Sequence, residues 1–478
     1  MGEIVEFGTA ILAVSATVFV ALLGMRVADR ISLPYAAIFL VGAVVIGEMF
    51  PEARRLLSVQ EVERIAVVAL IVILFHGGLH IGLGRFRRAV GPILALGVVG
   101  TFLTAGIVAV GARYVLGFSW IEAGLIGAAI APTDPAVTFS VFGAREIRGR
   151  SGTILEGEAG MNDPVGIALM IGMIELATED EGDLRIVAEE FAVEMALGLA
   201  VGVVGALLLL PIIRRVRLTG PALYPIRVLA GAGIIYGLAA VAGGSGFLAV
   251  FVAGLLLGDA AATQKGEIES FHASLAGLAE IAAFVALGLS VAISDLSELG
   301  VWGDGLALAV ILAFVARPLA VGPLLFLTRL RPGEQLFIVW AGLKGAVPIL
   351  LGALAVLAGL DDAERIYGIV FVVVLFSVLV QGASVPHVAG RLRIPFRRID
   401  HDLAEVLEFV VREGSYASGR RIGELPLGER AWIGVLIRSG KPRPVEGNVV
   451  LEPGDRVHVY SQPEGATALE RIFAGATE

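Results

Sequence analysis

Cysteine is absent from all 478 residues, so disulfides, thiol catalysis and Cys-ligated zinc are excluded. Charge is scarce: Asp, Glu, Lys and Arg together make up 17% of the chain, against 57% hydrophobic residues, and the mean hydropathy is +0.86. No phosphate-cradling GxxxxGK[ST] loop and no HExxH pattern is present, which argues against ATP-driven chemistry and against an intramembrane metalloprotease. What remains is the composition of a polytopic helical membrane protein. Apolar runs of about 20 residues, the length that crosses hydrocarbon as helix, recur along most of the sequence. The 62 glycines suit close helix packing in lipid. The first residues, MGEIVEFGTA, lack the basic region of a cleaved signal, so the apolar run that follows reads as a first transmembrane helix.

The runs predict 13 spans, at 8–25, 33–50, 64–82, 89–111, 119–142, 152–175, 187–213, 225–242, 246–260, 274–293, 301–327, 334–358 and 365–389. With the N-terminus outside, loops on the cytoplasmic side hold 19 Lys and Arg and the outer loops 6. That asymmetry follows the positive-inside rule and predicts an N-out, C-in multi-pass protein. The net charge of −9 says little, because charge is segregated between loops and tail. Residues 1–393 read as the membrane domain. Residues 400–478 are charged, with strand-like pieces LAEVLEFVV, AWIGVLIRSG, NVVL and DRVHVYS and a helical end at 464–473, and read as a small α+β cytoplasmic domain. Its modest size makes pairing with a second copy plausible.

Acids inside the spans carry the chemistry. Asp134 precedes Pro135 in Ala131-Pro132-Thr133-Asp134-Pro135, and Asp163 precedes Pro164 in Glu158-Ala159-Gly160-Met161-Asn162-Asp163-Pro164. A charge at the centre of a membrane helix costs at least about 2.5–3.5 kcal/mol, so it is rarely kept without a use. Asp followed by Pro can simply start a helix. At membrane depth such a start marks a broken helix, with Pro132, Pro135 and Pro164 as breaking positions. The pattern predicts a polar cavity holding titratable oxygen, as a cation or proton pathway requires. Asp163, with Asn162 beside it and Glu158 five residues earlier, is the expected exchange carboxylate, able to hold either a proton or a monovalent cation.

Two intramembrane cations, Arg317 and Lys344, need partners or must snorkel to the interface. Glu158 and Glu280 are the acids available to Arg317. Gly342-Leu343-Lys344-Gly345-Ala346-Val347-Pro348 predicts a second break, closed by Pro348, in a span of opposite direction to the first. Paired broken helices of inverted orientation mark the midplane site of many secondary transporters. Lys344 would there offset facing helix-end dipoles. Glu194 and Glu280 read equally well as site-lining or interfacial. His76 and His80 are spaced i, i+4 without an acidic or Cys companion nearby in sequence, a weak basis for a metal pair.

APTDPA, GEAGMNDP, Arg317-Pro318 and LKGAVP, in this order and in spans 5, 6, 11 and 12, together resemble the NhaP-type branch of bacterial cation:proton antiporters over about residues 8–392. The segment VVLEPGDRVHVYSQPE resembles the ligand-sensing half of an RCK (TrkA-C) domain, a pairing similar to that of potassium/proton antiporters. The resemblance implies an all-α membrane fold with inverted repeats and two broken helices, a homodimer in the bacterial inner membrane, and elevator-like alternating access. It implies that Asp163 binds cation or proton, that Asp134 lines the crossed helices, and that Thr133 offers a backbone oxygen or hydroxyl. Asn162, where electrogenic relatives carry a second aspartate, implies electroneutral exchange of K⁺ or Na⁺ for H⁺. Glu158 and Arg317 match a buried structural pair. Ala159 stands where serine is common, removing a hydroxyl ligand, and Lys344 where arginine is usual. No covalent cofactor and no resident metal are expected, the transported cation aside, and no nucleic-acid partner; a nucleotide-type ligand on the tail is. An RCK-regulated channel is the competing class, and no TVGYG-like filter supports it. A glutathione-gated potassium efflux system is a further relative, lowered by the lack of an N-terminal dinucleotide motif.

Overall fold

The computed structural model describes residues 33–50, 57–140, 145–147, 149–178, 184–260, 264–326, 328–398, 405–427, 431–461 and 466–473, with residue 142 and scattered positions within 8–23. The expected first span, 8–25, lies outside the continuously described residues. The chain divides into two compact units, 1–397 and 398–478.

The first unit is helical. Among the described residues, seven helices are long and apolar enough to cross a membrane: Val59–Arg88, Val90–Val115, Val187–Arg215, Leu223–Val241, Lys265–Leu289, Val301–Phe326 and Ala363–Arg391. Four shorter apolar helices accompany them, Tyr35–Met49, Trp120–Ile130, Gly246–Gly258 and Ala346–Leu357. Helix Arg150–Thr178 is long, but Glu158, Asn162 and Asp163 interrupt its apolar run. Spans 5 and 12 appear as pairs of short helices, and spans 2 and 9 as the shorter helices Tyr35–Met49 and Gly246–Gly258. These together with spans 1 and 6 are why the expected 13 spans do not reappear as 13 long apolar helices among the described residues. The tenth begins earlier than its apolar run: Lys265–Leu289 adds amphipathic turns ahead of residue 274.

Local chemistry sets several of the ends. Ser58 and Ser119 each form a reciprocal capping box, with Glu61 and Glu122, and so start Val59–Arg88 and Trp120–Ile130. Ser245 accepts the Leu248 amide at 3.3 Å and starts Gly246–Gly258. Arg85, Arg87 and Arg88 close Val59–Arg88, and Arg214 and Arg215 close Leu184–Arg215, where cations oppose the negative end of the dipole.

Pro164 does not break its helix. Arg150–Thr178 runs through it, so the cost is one main-chain bond to Gly160, a loss that close neighbours in a membrane bundle can absorb. An interruption that the sequence reading missed lies at Gly82, whose φ of 67° leaves the helical region within Val59–Arg88. There Asp259 accepts the Gly84 amide, while Arg85 caps the carbonyls of His80 and Ile81.

Two short strands, β1 (Arg145–Ile147) and β2 (Phe396–Arg398), pair as a small sheet. The second unit contains an antiparallel sheet of β3 (Glu405–Val410), β4 (Ala431–Arg438), β5 (Lys441–Arg443) and β6 (Arg456–Ser461), in the order β3-β6-β4-β5, with helix Ala466–Phe473. The β4–β5 hairpin turns through Ser439 and Gly440, both at positive φ, as a two-residue hairpin requires. β5 was not expected. The NVVL segment forms only an isolated bridge, from Val450 to Arg421. Leu436, Leu451, Val457, Val459 and Phe473 are the fully buried centre of this unit.

Candidate functional site

The two interrupted spans meet at their breaks. In one, helix Trp120–Ile130 gives way to an extended Pro132-Thr133-Asp134 before the short helix Pro135–Ser140; in the other, helix Pro332–Trp340 ends, and Ala346–Leu357 begins after Gly345. The Asp134 amide donates to Leu343 O at 2.8 Å, and the Thr138 hydroxyl to Ala341 O at 2.7 Å. Close approach depends on two glycines. A Cβ on Gly345 would collide with the Asp134 carboxylate, and one on Gly342 with the Arg317 guanidinium. Asp134 therefore lies at the N-terminal, positive end of Ala346–Leu357 while standing just ahead of Pro135–Ser140. Pro135 occupies a first helical position and Pro348 a first turn, where no amide is needed. Pro132 lies in the extended segment.

Breaking a helix leaves carbonyls without intrahelical partners, and inside a membrane no water replaces them. Here side chains replace them. The Lys344 ammonium donates to Ala131 O at 2.7 Å and Pro132 O at 2.8 Å, at the C-terminal end of the opposing half-helix. Arg317 donates from Nε to Val339 O at 3.0 Å and from Nη2 to Ile338 O at 3.2 Å, at the C-terminal end of Pro332–Trp340. Gln381 donates to the next carbonyl, Trp340 O, at 2.7 Å. Both cations thus meet the negative ends of half-helix dipoles, and neither snorkels: Lys344 is 1% and Arg317 3% exposed.

Helix Arg150–Thr178 runs past this crossing and presents three polar side chains. Glu158 pairs with Arg317 at 2.8 Å through Oε1. Asn162 donates from Nδ2 to the Thr133 hydroxyl at 2.7 Å. Asp163, one residue on, is buried and interacts electrostatically with Asp134 and Lys344. Several oxygens are left over. Asp163 Oδ1, Asn162 Oδ1 and Glu158 Oε2 are buried with no hydrogen-bond partner. Leaving such an oxygen dry costs about 1–3 kcal/mol, more for a charged group, so three in one stretch of helix need a ligand, a proton or a function. Ala159 is buried on the same helix and contributes no oxygen.

Glu280 is half-buried on Lys265–Leu289, within electrostatic reach of Asp134. The ion pair to Arg317 comes from Glu158. Glu194 is half-buried on Leu184–Arg215. His80 gains an acid that the sequence did not offer, since Glu156 stands 3.4 Å from its Nδ1. Sequence reasoning singled out neither Ser377, whose hydroxyl accepts the Lys344 amide at 2.9 Å, nor Gln381. Two polar residues at i, i+4 in an otherwise apolar span were the available signal.

The family model for the transmembrane region of sodium/hydrogen exchangers matches residues 15–390, about four-fifths of the sequence. This chain belongs to the sodium/hydrogen exchanger family. A TrkA-C domain model matches residues 406–474. The chain is 31% identical over 467 residues to the K(+)/H(+) antiporter NhaP2 of Shewanella sp. (strain ANA-3), covering 95% of this chain and 81% of that protein. It is 30% identical over 481 residues to the K(+)/H(+) antiporter NhaP of Alkalimonas amylolytica, covering 98% and 83%. Its fold is similar to that of the sodium proton antiporter MjNhaP1 from Methanocaldococcus jannaschii, with a TM-score of 0.68 at 24% identity over 80% of this chain and all of that one. In this exchanger the breaks that cross, the cations that cap them and the acids beside them come from four separate stretches of sequence.

Proposed function

We propose that this exchanger trades a monovalent cation, potassium or sodium, for a proton, and that the two compete for Asp163. One observation carries the reading: Asp163 Oδ1 and the neighbouring Asn162 Oδ1 are buried, unpartnered and placed where two broken helices cross. A dehydrated cation needs several oxygens, and a proton needs one carboxylate. The carboxylate can satisfy either but not both, so the two fluxes are coupled without further machinery. Asn162 carries no charge, which supports electroneutral one-for-one exchange. The relatives bearing the name K(+)/H(+) antiporter favour potassium as the cation.

In this scheme Asp134 shapes the crossing at the helix N-terminus, Thr133 supplies a hydroxyl or carbonyl oxygen, and Glu280 lines the approach. The Glu158–Arg317 pair stiffens the core, and Lys344 balances the charge of the site. Exchange proceeds by an elevator-like motion within a homodimer in the bacterial inner membrane, with the N-terminus outside and the membrane domain, 1–393, followed by a cytoplasmic regulatory domain, 400–478. A nucleotide-type ligand on that domain gates transport.

The deciding experiment is exchange in proteoliposomes with Na⁺, K⁺ and Li⁺ in turn, alongside a membrane-potential probe. The expected result is cation-dependent proton flux without a change in potential, abolished in Asp163→Asn. Cation-driven proton flux that survives in a folded Asp163→Asn protein would refute the assignment. Single-channel currents in a planar bilayer would refute antiport altogether.

A further inference from the structure

The interrupted segment of span 12 is held from one side by a helix that the exchange scheme leaves unused. Helix Ala363–Arg391 widens into a π-helical turn at Ser377–Gln381. From that turn, the Ser377 hydroxyl accepts the Lys344 main-chain amide at 2.9 Å and donates to Gln381 Oε1 at 3.1 Å. Gln381 Nε2 donates in turn to Trp340 O at 2.7 Å. A third contact ties the same turn to the same half-helix: Trp340 Nε1 donates to Ser384 Oγ at 2.9 Å, and Ser384 donates to Gln381 O. Ser377 and Gln381 are 2% and 5% exposed, so no water competes for these bonds.

The two ends of the break are thus gripped by two side chains that are bonded to each other. Trp340 is the last residue of one half-helix, and Lys344 is the residue whose ammonium reaches across to Ala131 and Pro132. Those carbonyls immediately precede Thr133, which bonds Asn162 beside Asp163. A displacement of the Lys344 backbone is therefore passed to the cation-binding oxygens in two steps.

We infer that Ser377 and Gln381 are positioning residues of the exchange site, clamping the broken helix at Trp340 O and Lys344 N so that the Lys344 ammonium is fixed against Ala131 and Pro132. The π-helical turn has a function here: it brings both side chains to one opening in the neighbouring helix. This inference rests on the assignment of Asp163 as the exchange carboxylate.

The test uses the full-length exchanger in proteoliposomes, with potassium and then sodium titrated at fixed pH. In Ser377→Ala and Gln381→Met, the half-saturating cation concentration is expected to rise about fivefold or more, because each variant loses two buried hydrogen bonds at the element that orders the ligands. Ser377→Thr, which keeps the hydroxyl, is expected to stay within about twofold of wild type. A role confined to stability would lower the maximal rate and the melting temperature while leaving half-saturation unchanged, and that result would overturn the inference. Should Ser377→Ala fail to fold, Gln381→Met carries the same test. Asp163→Asn is measured in parallel. Exchange surviving there sinks the site assignment itself; an inactive Asp163→Asn with unmoved half-saturation in the clamp variants sinks only the positioning role.

Discussion

Two arginine–carboxylate clusters, one in each unit of the chain, are built on opposite terms. In the C-terminal unit Arg438 grips Asp455 in a fork, Nε to Oδ1 and Nη2 to Oδ2, both at 2.8 Å. The same guanidinium reaches Glu452 at 2.6 Å and Val450 O at 2.7 Å, and the Glu452 amide also donates to Asp455 Oδ2 at 2.8 Å. Both oxygens of the buried Asp455 are satisfied. In the membrane unit Arg317 spends its donors on one Glu158 oxygen and two main-chain carbonyls, and the oxygens of Glu158, Asn162 and Asp163 named above are left without partners. The first cluster fixes a turn. The second holds capacity in reserve, which is what a site that must load and unload a cation requires. Under the proposed function, it is these unpaired oxygens beside the crossing, and not the charges alone, that a cation would use.

The largest effect that tests this contrast is Asp163→Asn. It removes the only site carboxylate that takes cation or proton in this scheme, and exchange should fall at least about a hundredfold in a proteoliposome pH assay, with the melting temperature little changed. Arg317→Ala comes next. It strands Glu158 and two helix-end carbonyls in the protein interior, and is expected to destabilise the membrane unit by about 3–5 kcal/mol, visible as a large drop in melting temperature in detergent. A stable, active Arg317→Ala would mean that the pair is dispensable and the comparison mistaken.

Asp455→Ala should have a smaller effect, about 2 kcal/mol on the C-terminal unit, measured by protease resistance of that unit in a denaturant series. This effect has a pH signature. Burial pushes the Asp455 carboxyl up, but the Arg438 hydrogen bond, the Glu452 amide and the Arg438 charge outweigh it and hold the group below its usual range. A carboxyl depressed by folding contributes its stability above its unfolded-state value, about pH 4, and loses it as pH falls through the folded value. The difference between wild type and Asp455→Ala should therefore be full at pH 7 and shrink below about pH 4. A difference independent of pH would show that the cluster acts by packing. The smallest effect belongs to the exposed i, i+4 pair of Arg185 and Glu189, 2.9 Å apart with side chains 81% and 65% exposed. Arg185→Ala should change stability by under about 0.5 kcal/mol.

Much of the membrane unit could be read in advance because a bilayer imposes length and polarity rules on each span separately. The apolar runs located most helices within a few residues, and loop arginines marked helix ends that the structure also closes with arginine. The breaks at Asp134 and Lys344 were legible because Pro and Gly leave a local signature. The same signature misled at Pro164, where the helix continues, and was overlooked at Gly82, although GGLHIGLG is rich in glycine. β5 escaped because Lys441-Pro442-Arg443 has no apolar alternation, being an exposed edge paired through a tight hairpin.

The sequence by itself determined that this chain is a helical membrane protein, that acids and cations lie inside its spans, and that two spans are interrupted. Those properties follow from single segments, because transfer cost and proline chemistry act locally. Only the tertiary structure decided which charge meets which partner. Lys344 meets carbonyls 212 and 213 positions away, and Arg317 meets Glu158. The Ser377–Gln381 turn closes on a break in another helix. A hydrogen bond is set by a distance of about 3 Å in space, whatever the separation along the chain. The oxygens that remain without a partner can be identified only after all the others have been paired.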